Sequence, residues 1–193
     1  MNTYTKKVVD VVRAYKNTVD EYNTEKAKLA EKQKNGTIAA ADFLTKTEEN
    51  NGKLNQAIAA RVQRLYEIVA EYEQAYEQWA VVKGSDVTED MSILTSGMQL
   101  DPSDYEKMEQ GYSGNYTMLK AIKSHADRNK VSYIASATID KEQKQKALLE
   151  LVSVAKTTFI EAQSGISLNN IVFEDDEQFM KWYGSLDRLI ALG

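Results

Sequence analysis

Leu54, Ile58, Val62, Leu65, Val69, Tyr72, Tyr76 and Trp79 form an apolar stripe that, after one step of four, recurs at alternating intervals of three and four residues. A repeat of 3.5 residues keeps a narrow seam on one side of a helix, and the seam is stable when a partner helix covers it. The chain supplies a partner upstream. Val8, Tyr15, Tyr22 and Leu29 recur every seven residues, with Val11 at the first intermediate position. Thr18 and Glu25 take the later intermediate positions, so this seam weakens toward Lys34. Between the two patterns stands Asn35-Gly36, whose glycine can adopt the left-handed conformation that ends helices. Thr37 can then cap the next helix. We expect one helix from Thr3 to Lys34 and a second from Ile38 to Lys83, continuous through the poor helix formers Asn50-Asn51-Gly52. The short connection predicts antiparallel packing, a helical hairpin over residues 1–83. At ~1.5 Å per residue, about 30 helical residues give an arm of roughly 45 Å.

Gly84-Ser85-Asp86 opens a second region, residues 84–193, with shorter elements. Asp101-Pro102 reads as a cap followed by a proline in the first turn. Gly111 and Gly114 bracket a break, and a helix follows from Asn115 to Asn129 that buries Met118, Leu119 and Ile122. Another begins at Asp140, supported by Gln143 three residues on, and carries Leu148, Leu149, Leu151, Val152, Ala155 and Phe159 to a stop near Gly165. The last helix starts in Glu174-Asp175-Asp176-Glu177, where acids suit a helix N-terminal dipole. Its apolar residues are Phe179, Trp182, Tyr183, Leu186, Leu189 and Ile190. Val131 to Ile134 and Ile171 to Phe173 read as short strands or apolar linkers. The expected fold class is all-α, a long antiparallel hairpin followed by a compact region of shorter helices.

Composition narrows the function classes. With 42% hydrophobic residues in 193, the chain can bury a core, and nine glycines with one proline leave little turn chemistry for an all-β fold. No cysteine is present, which excludes disulfides, thiolate zinc sites and cysteine nucleophiles. The net charge of −5 is unevenly spread: residues 1–36 carry eight basic against five acidic side chains, and every later stretch is net acidic. Without a concentrated basic face, a nucleic-acid partner is not expected. No apolar run approaches membrane-spanning length, and Asp10 and Arg13 interrupt any secretory h-region. We expect a soluble, cytoplasmic protein with no membrane partner.

Residues with chemical potential are few. His125 is the single histidine, at the edge of an apolar helix face, and reads as an ordinary helix residue. The run Glu174 to Glu177 lacks the alternating ligands and central glycine of a calcium loop. No phosphate-cradling glycine pattern occurs, and Ser113-Gly114 and Ser164-Gly165 lack the flanking glycine of a nucleophile elbow. No catalytic residue, metal ligand or cofactor is therefore assigned, and a protein that is not an enzyme is expected. Val9, Val12, Tyr66 and Ile68 lie off the seams, and with Trp182 and Tyr183 they are the candidate interaction positions.

The stretch Met91 to Asn129 carries a resemblance. Ser92-Ile93-Leu94 is followed by Leu100-Asp101-Pro102-Ser103-Asp104-Tyr105-Glu106-Lys107-Met108, then Gly114-Asn115-Tyr116-Thr117-Met118-Leu119-Lys120-Ala121-Ile122 and Ala126-Asp127-Arg128-Asn129. With the charged hairpin before it, this arrangement resembles small helical, scaffold-like proteins encoded near head-morphogenesis genes of phages and prophages of Gram-positive bacteria. The resemblance covers about two thirds of the chain. It implies a non-enzymatic interaction role in virion assembly, with a phage structural protein as partner and virion association. Independently of it, the off-seam Val9, Val12, Tyr66 and Ile68 predict either self-association, as a homo-oligomer, or packing of the arm against the C-terminal helices. Residues 174–193 depart from the basic coat-binding helix of scaffolding proteins, holding five acids against Lys181 and Arg188. The alternative is a phage-encoded inhibitor that binds a host enzyme or defence protein, with an acidic surface occluding a basic site. Sequestration of a small ligand between the C-terminal helices comes third.

Overall fold

The computed structural model describes residues 1–135, 138–163 and 172–192. Its helices are α1 (Thr3–Lys34), α2 (Ala40–Trp79), α3 (Met91–Thr95), α4 (Pro102–Gly111), α5 (Tyr116–Asn129), α6 (Lys141–Gln163) and α7 (Asp176–Ile190), with a 3-10 turn at Gly84–Asp86. No strand occurs among the described residues. The chain is all-α. It divides into two compact units, and α1, α2, α6 and α7 contribute to both. The first unit comprises Met1–Thr5, Val69–Glu150 and Tyr183–Gly193; the second comprises Lys6–Ile68 and Leu151–Trp182. The shortening of elements at residue 84 falls inside the first unit.

In the second unit α1 ends as a Schellman motif. Thr37 N–H donates to Lys32 O at 2.9 Å and Gly36 N–H to Gln33 O at 3.1 Å, with Gly36 at φ +65°. Thr37 does not cap α2, as its position suggested. Its hydroxyl donates to Lys32 O, so it closes α1 and leaves α2 to begin at Ala40. The antiparallel register of α1 and α2 is set by Tyr22, whose Oη donates to Asn51 Oδ1 at 2.9 Å while Asn50 Nδ2 donates to Tyr22 O at 3.2 Å. Those bonds explain why Asn50-Asn51-Gly52 stays helical despite poor propensity: both asparagine side chains are engaged by α1 and do not compete with the helix backbone.

The core of this unit is wider than a two-helix seam. Val8, Val9, Val11, Val12, Tyr15 and Val19 of α1 are buried, as are Leu65 and Ile68 of α2 and Leu151, Val152, Ala155 and Phe159 of α6. Tyr15 ties α1 to α6, its ring 4.5 Å from that of Phe159 and its Oη donating to Phe159 O at 3.0 Å. Phe173 is buried in a helical turn at 172–174, so Val172 and Phe173 form neither strand nor linker, while Ile171 lies outside the described residues. The expected stop near Gly165 also lies outside them. Three acids of the run at the start of α7 have partners. Asp175 Oδ1 accepts from Glu177 and Gln178 N–H, Asp176 pairs with Arg13 at 2.6 Å, and Glu174 pairs with Lys16.

In the first unit α2 stops at Trp79, short of the expected Lys83. Lys83 is extended and its N–H donates to the buried Thr117 Oγ1 at 3.0 Å, a bond from outside the helix. Asp101 and Asp104 form a capping box on α4, Asn115 caps α5 by accepting from Met118 N–H, and Asp140 Oδ1 accepts from Gln143 N–H before α6. Leu94, Tyr105, Met118, Ile122 and Ala126 make the local core. Val131 to Ile134 is an apolar linker without regular structure, and Tyr133 stacks on Tyr105 at 5.3 Å between ring centroids.

Candidate functional site

The weakening seam of α1 has a structural counterpart. Past Val19 the buried apolar residues of the hairpin end are Leu29 and Leu54, because Thr18, Tyr22 and Glu25 take the seam positions. Thr18 is too small and Glu25 too well hydrated to fill the space, and a groove of about 700 Å³ opens beside them. Its walls carry Asp20, Glu21, Glu25 and Glu49 against Lys28, Lys46 and Lys53, with Tyr22 and Leu54 as its larger apolar floor. A lining that mixes both charge signs with one aromatic ring suits another protein surface better than a small apolar ligand.

The candidate interaction positions separate into two groups. Val9, Val12 and Ile68 are at most 2% exposed in the core of the second unit, so they reach no external partner unless that unit opens. They lie off the two-helix seam yet are buried, in a unit where α6 is also tied to α1 through Tyr15 and Phe159. Tyr66 and Trp182 are 50% and 66% exposed, and Tyr183, in the first unit, is half-buried. Lys156 covers part of Tyr66, with Nζ 5.2 Å from the ring centroid and donating to Tyr66 Oη at 3.0 Å.

In the first unit His125 is 3% exposed, deeper than the edge position its spacing suggested. Its Nδ1 lies 2.8 Å from Tyr105 Oη, and Asn129 Nδ2 sits 3.3 Å from both ring nitrogens. Glu109, also buried, accepts from Tyr133 Oη at 2.6 Å, and burial followed by this bond raises the Tyr133 hydroxyl well above its usual range. A cavity of about 310 Å³ beside His125 is lined by Leu94, Thr95, Gly97, Arg128 and Asn129, with no carboxylate to orient or relay a proton. The cluster is a satisfied polar network. Among the described residues no group of three or more histidine, aspartate or glutamate side chains is placed to hold a metal ion.

Lys144 escaped sequence reasoning. It is 1% exposed, donates to Leu189 O at 3.0 Å and Ala191 O at 2.6 Å, and sits 5.1 Å from the Trp79 ring centroid. Its ammonium caps the C-terminal end of α7, while Tyr72 Oη donates to Ile190 O at 3.0 Å. Burial pushes Lys144 down to about 8. The signal was present in the spacing, since Lys144 precedes Leu148, Leu151, Ala155 and Phe159 at steps of three and four on the buried stripe of α6.

No protein-family model matches the chain, and no curated protein or solved structure matches it either. Among the described residues no helix is long and apolar enough to cross a membrane.

Proposed function

We propose that this chain is a non-enzymatic protein–protein interaction protein whose working surface is the hairpin end, and that it serves as a scaffold-like component in phage assembly. The observation that carries the interaction role is the groove. Residues 20–54 keep about two dozen helical residues on display for only two buried apolar side chains, more ordered structure than so small a core requires. The assembly setting rests on the resemblance of Met91 to Asn129 to head-region proteins, and the partner in that setting is a phage structural protein.

Photo-crosslinking amino acids placed at Lys53 and Lys28 in the native host, followed by mass spectrometry, test the reading. A defined protein partner is expected, captured from both positions and lost on charge reversal along the arm. His125→Ala should leave capture unchanged. Biological activity abolished by His125→Ala, with thermal stability and partner capture intact, would overturn the non-enzymatic reading.

A further inference from the structure

The two helix faces that wall the groove carry a charge order that matches its own reverse. On α1, Glu21, Glu25, Lys28 and Lys32 follow at steps of four, three and four residues and read minus, minus, plus, plus. On α2, Asp42, Lys46, Glu49 and Lys53 follow at the same steps and read minus, plus, minus, plus. Those steps keep each set on one helix face, and three members of each line the groove. All eight side chains belong to exposed residues. Within the chain only Glu25 and Lys28 pair, at 4.0 Å; the other six make no ion pair among the described residues.

The midpoint of the first set falls between Lys26 and Ala27, that of the second between Thr47 and Glu48. The contacts of Tyr22 with Asn50 and Asn51 place these midpoints at the same height on the hairpin to within about 2 Å, at ~1.5 Å rise per residue. A two-fold axis through both midpoints therefore sets Glu21 against Lys32, Glu25 against Lys28, Asp42 against Lys53 and Lys46 against Glu49 of a second copy, each pairing occurring twice. The remaining charges of these segments, Asp20, Lys26, Glu31, Lys34 and Glu48, fall opposite Gln33, Ala27, Tyr22, Val19 and Thr47, so no like charges meet. A parallel arrangement instead brings Glu25 toward Glu49 and Lys28 toward Lys46, so that only Glu21 with Lys53 and Lys32 with Asp42 attract, half of its pairings against all of those in the antiparallel one.

We propose that a second copy of this chain docks antiparallel in this groove, so that two hairpin ends form a four-helix bundle whose register is set by the paired charge stripes. The proposal rests on the reading of the hairpin end as an interaction surface and names its occupant. Exposed ion pairs contribute ~0–1 kcal/mol each, so they select orientation while covering the Tyr22 ring and the aliphatic stems of the paired lysines supplies affinity.

Sedimentation equilibrium of the full chain and two variants tests it. Glu21→Lys/Glu25→Lys makes the α1 stripe wholly positive, and Lys28→Glu/Lys32→Glu makes it wholly negative. The wild type should dimerise with rising concentration, more weakly at high salt. Each variant alone should stay monomeric, and an equimolar mixture should restore a dimer of one copy of each. Circular dichroism showing wild-type helicity in both variants establishes that folding is intact. A monomeric wild type, a variant that self-associates as well as the wild type, or a mixture that stays monomeric each overturns the proposal. A monomeric wild type whose groove crosslinkers capture a different protein overturns self-pairing and leaves the interaction reading standing.

Discussion

Lys144 Nζ lies 2.6 Å from Ala191 O, which makes a fully buried ammonium the cap of the last helix. Burial favours the neutral amine, so the folded chain releases this proton near pH 8 while the unfolded chain holds it to about 10.5. Between those values the unfolded state binds more protons, and stability must rise with pH. The rise is up to about 3 kcal/mol, at ~1.4 kcal/mol per tenfold change in proton affinity. Above pH 10 the sign reverses. Burial raises Tyr72, and pushes Tyr76 up to about 12, so these hydroxyls stay protonated in the fold after the unfolded chain has lost those protons. Urea titrations from pH 7.5 to 11 should show a maximum near pH 10, and Lys144→Met should remove the ascending limb.

Ile68 and Trp182 should respond in opposite ways to truncation. Ile68 is fully buried, so Ile68→Ala is expected to cost about 2–5 kcal/mol of unfolding free energy through lost burial and a residual cavity. Trp182 is 66% exposed, and Trp182→Ala should stay within ~0.5 kcal/mol. Denaturant midpoints of the two variants check the contrast.

Gly36 sits at φ +65°, with nothing within 4 Å of where a Cβ would stand. Space is therefore available and only backbone strain opposes a side chain. Gly36→Ala is expected to cost about 1–2 kcal/mol, the penalty of the left-handed region for a residue bearing Cβ. Gly52, helical and equally uncrowded, should gain about 0.5–1 kcal/mol as Gly52→Ala. Thermal melts of the pair should shift in opposite directions.

Asn115 caps α5 and also donates through Nδ2 to Asp86 O at 2.7 Å, holding the 3-10 turn. Asn115→Ala removes both bonds, and a loss of about 1–2 kcal/mol is expected. Asn115→Asp keeps the cap and loses the donor, so its midpoint should fall between those of the wild type and the alanine variant.

Local signals in the chain were good guides at most helix ends, Thr37 being an exception because its hydroxyl closes α1 and does not cap α2. Gly36, Asp101, Asn115 and Asp140 each end or start a helix through bonds that span at most five residues, and spacing alone reveals such positions. What required the structure was long-range. Val9 and Val12 looked like spare apolar surface because the buried core of their unit also takes in residues of α6, more than a hundred residues away. The spacing of α6 puts Lys144 on the buried stripe, but its partners could not be read locally because the carbonyls it meets belong to the end of α7. The groove was foreshadowed by Thr18 and Glu25 in the seam. Its charge order becomes meaningful once Tyr22 and Asn51 establish which residues stand level.

A hairpin end with Leu29 and Leu54 as its buried apolar residues has a kinetic signature. Amides there are held by helix bonds that little packing defends, so local opening should let them exchange with solvent orders of magnitude faster than those around Tyr15 and Phe159. That difference makes the segment its own reporter. Whatever closes over the groove, a second copy or another protein, must first quiet these fluctuations. Slowed deuterium uptake confined to residues 20–54 would then mark occupancy without any label, and its protection factor would measure how much ordering the encounter demands.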